Sequence, residues 1–217
     1  MELIKIDHLT KSFGKELILN DISLIYNSGV IYGMIGENGA GKTTLFSCIT
    51  GILTFSGTLQ RKDGLRIGYL PADSFFYSLI TGLEYIEFCI KAKGGSIYMQ
   101  KIEQLNTAFQ LPLYRYASEY STGMKKKLAF MALLLQDNDV YILDEPFNGV
   151  DLRGCIFLKR IIRSLKEAGK TIILSSHQIS ALHEICDCIH YLNNHIIMKE
   201  FTSRESIDDI ERMILEG

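Results

Sequence analysis

No run in this sequence is apolar for long enough to cross a bilayer. The longest, LAFMALLL at residues 128–135, falls far short of the roughly 20 residues a helical span requires. A disulfide framework is also missing. The five cysteines, at 48, 89, 155, 186 and 188, are odd in number and scattered, which fits a reducing cytosol. Cys186 and Cys188 hint at a metal pair, but no second Cys/His pair has zinc-ligand spacing, so two ordinary thiols beside a strand is the simpler reading. Charge of one sign is not in excess. A net charge of −2 argues against a wholly basic nucleic-acid binder and leaves only a local basic patch open. Met1 runs into the alternating ELIKIDHL, so no basic-then-apolar leader is visible, and no internal repeat or low-complexity linker follows.

What is present is the make-up of a packed globular chain: 217 residues, 47% hydrophobic and 22% charged. LIKIDHL, LILNDISLIY and GVIYGMIG read as strands, the last apolar on both faces like a buried central strand. A glycine-rich loop and the helix KTTLFSCIT follow, ending at Gly51, and LRIGYLP reads as a short strand stopped by Pro71. From Thr81 to about Gln136 the pattern turns helical. Thr81 with Glu84 has capping-box spacing, and SIYMQKIEQLNTAFQ and STGMKKKLAFMALLLQ are two further helices. Strand and helix then alternate through VYIL, LRGCIFLKRIIRSLKEAG, TIILSS and ISALHEICD. CIHYLNNHIIMKE predicts a hairpin with its turn at Asn193-Asn194, and the tail from Ser203 reads as helix. The expected organisation is an α/β core over residues 1–80 and 137–217, with a helical insertion over 81–136.

Two segments carry chemistry. Gly36-Glu37-Asn38-Gly39-Ala40-Gly41-Lys42-Thr43 matches G-x-x-x-x-G-K-[ST] in full, after a strand and before a helix. The glycines let backbone N–H groups converge on phosphate oxygens, and the helix adds its positive end. Lys42 reaches toward the β- and γ-phosphates, Thr43 offers a hydroxyl to Mg²⁺, and Thr44 adds a further phosphate contact. A plain strand–helix turn is the alternative. The second segment, VYILDEP, puts Asp144 at the carboxyl end of a buried strand, where open α/β sheets place ligands. Asp144 there suits Mg²⁺, and Glu145 suits a general base for water. An exposed acidic pair is the alternative, against which the apolar run before Asp144 argues.

YSTGMKKKLAF, residues 120–130, poses a separate question, because Gly123 weakens a helix in the very turn where it begins. Lys125, Lys126 and Lys127 read as a solvated face.

Taken in order, Gly36–Thr44, YSTGM, VYILDEP, NGVD and SSH resemble the motifs of an ATP-binding-cassette nucleotide-binding domain, over nearly the whole chain from Leu3 to Glu200. The resemblance implies a P-loop NTPase core with an N-terminal antiparallel β subdomain and an inserted helical subdomain. It implies ATP and Mg²⁺ as ligands, Phe13 stacking on adenine, and His177 sensing the γ-phosphate. Ser121, Gly123 and Asp151 would act in trans, on the nucleotide held by a second subunit. On this resemblance Gly123 is kept so that its N–H can approach that phosphate. The implied role is the ATPase subunit of a transporter, most similar to small bacterial exporter cassettes. It would work as a homodimer or heterodimer at the cytoplasmic face of the membrane, with a separate transmembrane permease and no nucleic acid. A soluble cassette acting on ribosomes or DNA, a slowly hydrolysing switch and a small P-loop kinase are the other classes. Two motifs depart from the family, the signature, here Tyr120-Ser121-Thr122-Gly123-Met124, and the loop at Ala72. The signature is usually Leu-Ser-Gly-Gly-Gln, and Ala72, followed by Asp73, stands where a metal- and water-contacting glutamine is usual.

Overall fold

The computed structural model describes residues 1–216. Strands β1 (Glu2–Phe13) and β2 (Glu16–Asn27) pair antiparallel, and β4 (Ser56–Arg61) adds to the other edge of β1. β3 (Ile31–Ile35) instead enters a six-stranded sheet with β5 (Ile67–Leu70), β6 (Val140–Leu143), β7 (Thr171–Ser176), β8 (Cys188–Asn193) and β9 (Ile196–Thr202). Its order is β5-β6-β7-β3-β8-β9, parallel except for β9. The helices are α1 (Lys42–Thr50), α2 (Gly82–Ala92), α3 (Met99–Phe109), α4 (Thr122–Leu134), α5 (Leu152–Glu167), α6 (Ile179–His183) and α7 (Ile207–Glu216).

The central strands are apolar throughout because both faces are covered. Tyr32 and Met34 of β3 join Ile142 of β6 and Ile173 of β7 in a core closed by α1 and the antiparallel sheet. Ile31 and Ile35 point the other way, with Tyr141, Leu143, Ile172 and Leu174. That second core runs without a break into Ile86 and Ile90 of α2, Ile102 and Phe109 of α3 and Leu128–Leu133 of α4. The parallel register aligns Leu70 with Leu143, Leu143 with Leu174, and Ile35 with Ser176. The residues that follow these strands, Gly36, Asp144 and His177, therefore emerge along one edge of the sheet.

The structure corrects three details of the sequence reading. β4 was not expected; only Leu59 is even half-buried in it, so no alternation marks it. α3 begins at Met99, because Tyr98 is extended rather than helical. The turn of the last hairpin sits at Asn194-His195, both at positive φ (45° and 72°), one residue beyond the expected place.

The capping box at the start of α2 is present. Glu84 N–H donates to Thr81 Oγ1 (3.2 Å), and Thr81 N–H donates to Glu84 Oε2 (2.8 Å). Replacing a capping threonine by alanine costs about 1 kcal/mol. Thr81→Ala is therefore expected to lower the melting temperature by about 2–4 °C for a chain of this size. A melting curve identical to wild type would show that the cap contributes nothing.

Candidate functional site

The loop from Gly36 to Gly41 joins β3 to α1. Gly41 closes it at φ 106°, where a Cβ would also lie 2.9 Å from the Leu19 side chain. No side chain caps α1 and no acidic residue lies in its first turn, so the helix end is left open to an anion. Lys42 folds back across the loop, and its Nζ donates to the carbonyls of Gly36 (2.6 Å) and Glu37 (3.0 Å). Burial lowers the pKa of this ammonium, opposed by the charges of Glu145 and Asp144. Glu37, Asn38 and Gly39 are exposed, Ala40 is half-buried, and Thr44 is half-buried one residue beyond Thr43.

Asp144 is fully buried and lies directly beneath that helix start. Thr43 Oγ1 donates to its Oδ2 and Ser175 Oγ to its Oδ1, each at 2.6 Å. Ser175 Oγ also accepts the Glu145 N–H at 2.8 Å. That bond helps hold Glu145 at φ 46°, a left-handed conformation a glutamate rarely adopts. The Glu145 carboxylate is thereby presented to His177, whose Nδ1 lies 3.1 Å from Oε2. Its other oxygen, Oε1, is buried without a hydrogen-bond partner among the described residues and stands 4.0 Å from Lys42 Nζ. Tyr69 completes the floor; burial, and then the charge of Asp144, push its phenol up to about 12.

Lys126 overturns the expectation of a solvated face. It is buried, and its Nζ donates to the carbonyls of Ala72 (2.7 Å) and Glu145 (3.1 Å). Burial lowers its pKa, while Asp73, Asp144 and Glu145 act to raise it. Its sequence neighbours give no separate sign of this, but the run Leu128–Leu133 that follows is buried at every position. A helix enclosed on all sides leaves its preceding turn little solvent to reach. Ala72 is thus held through its backbone, and Asp73 is exposed. Ser175 and Tyr69 were also missed by sequence reasoning, because each reads as an ordinary strand residue.

Among the described residues, no hydrogen bond joins Phe13, Ser121, Gly123 or Asp151 to this cluster. Phe13 ends β1, 48% exposed, with Lys11 Nζ 5.0 Å from its ring centre. Ser121 is the exposed N-cap of α4 and accepts from Met124 N–H at 3.3 Å. Asp151 is the exposed N-cap of α5 and accepts from Gly154 N–H at 2.9 Å. A Cβ on Gly123 would meet nothing nearer than the Gly149 carbonyl at 3.4 Å, an ordinary contact. Packing within the chain therefore does not require glycine at this position.

Ser175 satisfies a buried carboxylate and a backbone N–H at once. Ser175→Ala leaves both short of a partner and is expected to cost about 1–3 kcal/mol in urea unfolding. An unchanged midpoint and slope would mean that solvent replaces the hydroxyl.

The ABC transporter family model matches residues 19–148, more than half of the chain. SrtF, a lantibiotic transport ATP-binding protein of Streptococcus pyogenes, is 30% identical over 222 residues, covering 96% of this chain and 95% of its own. BcrA, a bacitracin transport ATP-binding protein of Enterococcus faecalis, is 30% identical over 217 residues, covering 94% and 70%. Among solved structures, an ATP-binding subunit of an ABC transporter superposes with a TM-score of 0.86 at 27% identity, over 98% of this chain and 93% of that one. A dimeric ATP-binding cassette bound to ADP and phosphate shares the fold, with a TM-score of 0.82 at 20% identity over 94% of this chain and all of its own. The chain belongs to the ABC transporter family, as an ATP-binding subunit with the ATPase activity of that family.

Proposed function

We propose that this subunit closes with a second cassette around two molecules of MgATP and that the closure drives export through a separate membrane chain. The observation that carries the reading is the junction at Asp144. It joins an uncapped helix start, a hydroxyl–carboxylate pair and an unpartnered carboxylate oxygen at one strand edge. Thr43 and Asp144 present hard oxygen donors, which suit Mg²⁺, and the ion when bound would offset phosphate charge. Lys42 would exchange its two loop carbonyls for phosphate oxygens. Glu145 Oε1 is the atom free to take a proton from water, with His177 orienting the carboxylate through Oε2. Phe13 would stack on the base. Ser121, Gly123 and Asp151 would complete the partner's site, which accounts for a glycine that this chain's own packing does not demand.

Three further points support the transporter role. Among the described residues no helix is long and apolar enough to cross a membrane, and in this reading a membrane chain supplies the span. Phe75, Tyr77, Leu79, Tyr114 and Tyr116 are all exposed. The backbone bridge between Thr81 and Tyr116 brings their two segments together just beyond Ala72, forming a surface suited to that membrane chain. The names of SrtF and BcrA place those proteins in lantibiotic and bacitracin transport. Export of antimicrobial peptides from the cytoplasmic side is the corresponding reading here.

Glu145→Gln is expected to bind ATP, to turn over at least about a hundredfold more slowly, and to accumulate as a dimer. Adding Ser121→Arg should abolish the dimer in light scattering while nucleotide affinity stays unchanged. ATP-dependent dimers persisting in the double variant would remove the in-trans role.

Lys126 ties the Ala72 loop to the Glu145 backbone, so its loss should misplace the water-activating carboxylate. Lys126→Met is expected to lower kcat about ten- to a hundredfold, with nucleotide affinity changed by less than about twofold. Wild-type kcat in that variant would show that the tie has no part in hydrolysis.

A further inference from the structure

The β8–β9 hairpin carries a second group of reactive side chains, apart from the nucleotide site. His190 and Glu200 are direct cross-strand partners and share a face of the sheet. Cys188 lies two residues before His190 and so projects to the same side. Cys188 Sγ is 3.6 Å from His190 Nε2, and Nε2 is 3.2 Å from Glu200 Oε2. Their ligand atoms all lie within 4.8 Å of one another. Cys188 sits at the amino end of β8, whereas Gly36 follows the carboxyl end of its parallel neighbour β3.

We infer that Cys188, His190 and Glu200 form a binding site for a divalent transition-metal ion, zinc foremost. The spacing fits one ion. Zinc bonds of about 2.3 Å to sulfur and about 2.0–2.1 Å to nitrogen or oxygen, at the tetrahedral angle, give ligand–ligand edges of about 3.6 and 3.3 Å. The ligand types fit as well, since thiolate and imidazole select zinc and its neighbours over Mg²⁺. The imidazole is already fixed in place. Tyr32 stacks on it at 5.9 Å with the planes 8° apart, and Tyr26 meets it edge-on at 6.0 Å. Among the described residues its Nδ1 is buried without a partner, and Cys188 and Glu200 are the polar groups that Nε2 meets. Binding replaces the Cys188 thiol proton, which is released to solvent, and leaves the imidazole neutral. Three protein ligands leave a fourth position. The trio lines a cleft of about 530 Å³ together with Asp7, Ser23 and Asn27, from which water or another donor can fill that position.

The test uses the full chain, stripped by chelator and free of nucleotide and Mg²⁺, titrated with Co²⁺ and then with Zn²⁺. The expected result is one equivalent of Co²⁺ per chain with a thiolate-to-cobalt charge-transfer band that Zn²⁺ abolishes. Cys188→Ser should remove the band. Cys186→Ser should keep it, because that thiol packs in the core on the opposite face of the sheet. Glu200→Gln, at an exposed position, keeps the fold secure and should weaken binding at least about tenfold. Absence of a saturable band would overturn the inference. So would a band unchanged in Cys188→Ser, or affinity unchanged in Glu200→Gln.

Discussion

The buried carboxylate of Asp144 is the constraint around which this edge of the sheet is arranged. A carboxylate out of water is costly unless donors surround it. Here the donors come from two different elements, Thr43 at the start of α1 and Ser175 in β7. Satisfying one side chain therefore fixes the helix start, two neighbouring strands and, through the shared Ser175 hydroxyl, the unusual backbone of Glu145. The strain at Glu145 persists because the surrounding bonds determine it.

Gly123 illustrates how a residue can be explained by what the chain does not contain. Gly41 needs its positive φ, and a side chain there would strike Leu19. Gly123 has neither reason, and it stands in the first turn of a helix, where glycine is costly. A cost that folding does not repay points to an approach from outside the chain, which is where the proposed function places the second subunit.

Much of this was legible in the sequence because the signals are local. Glycine spacing between a strand and a helix marked the loop at 36–43, and the apolar run before Asp144 placed it at a strand end. The Thr81–Glu84 spacing marked a helix start that the structure contains. What could not be read depends on packing between distant segments. Lys126 looks like its neighbours in sequence, and only the enclosure of α4 reveals that it is buried beside Ala72 and Glu145. The exposed edge strand β4 has no buried face to imprint an alternation. Two consecutive asparagines made the hairpin turn ambiguous by one residue, and the register of β9 against β8 decides it.

The two lysines at the site have a consequence for its electroneutrality. Lys42 and Lys126, both buried, feel the charges of Asp144 and Glu145. Two ammonium groups therefore stand against Asp144 and Glu145, with the exposed Asp73 as a further charge on Lys126. In the proposed function Lys42 is the ammonium that turns from the loop carbonyls to the phosphates. A nucleoside triphosphate brings more negative charge than one magnesium ion cancels, so each binding event leaves a deficit of positive charge. In the proposed function that deficit would be met by helix ends and backbone N–H groups, those of a second cassette among them.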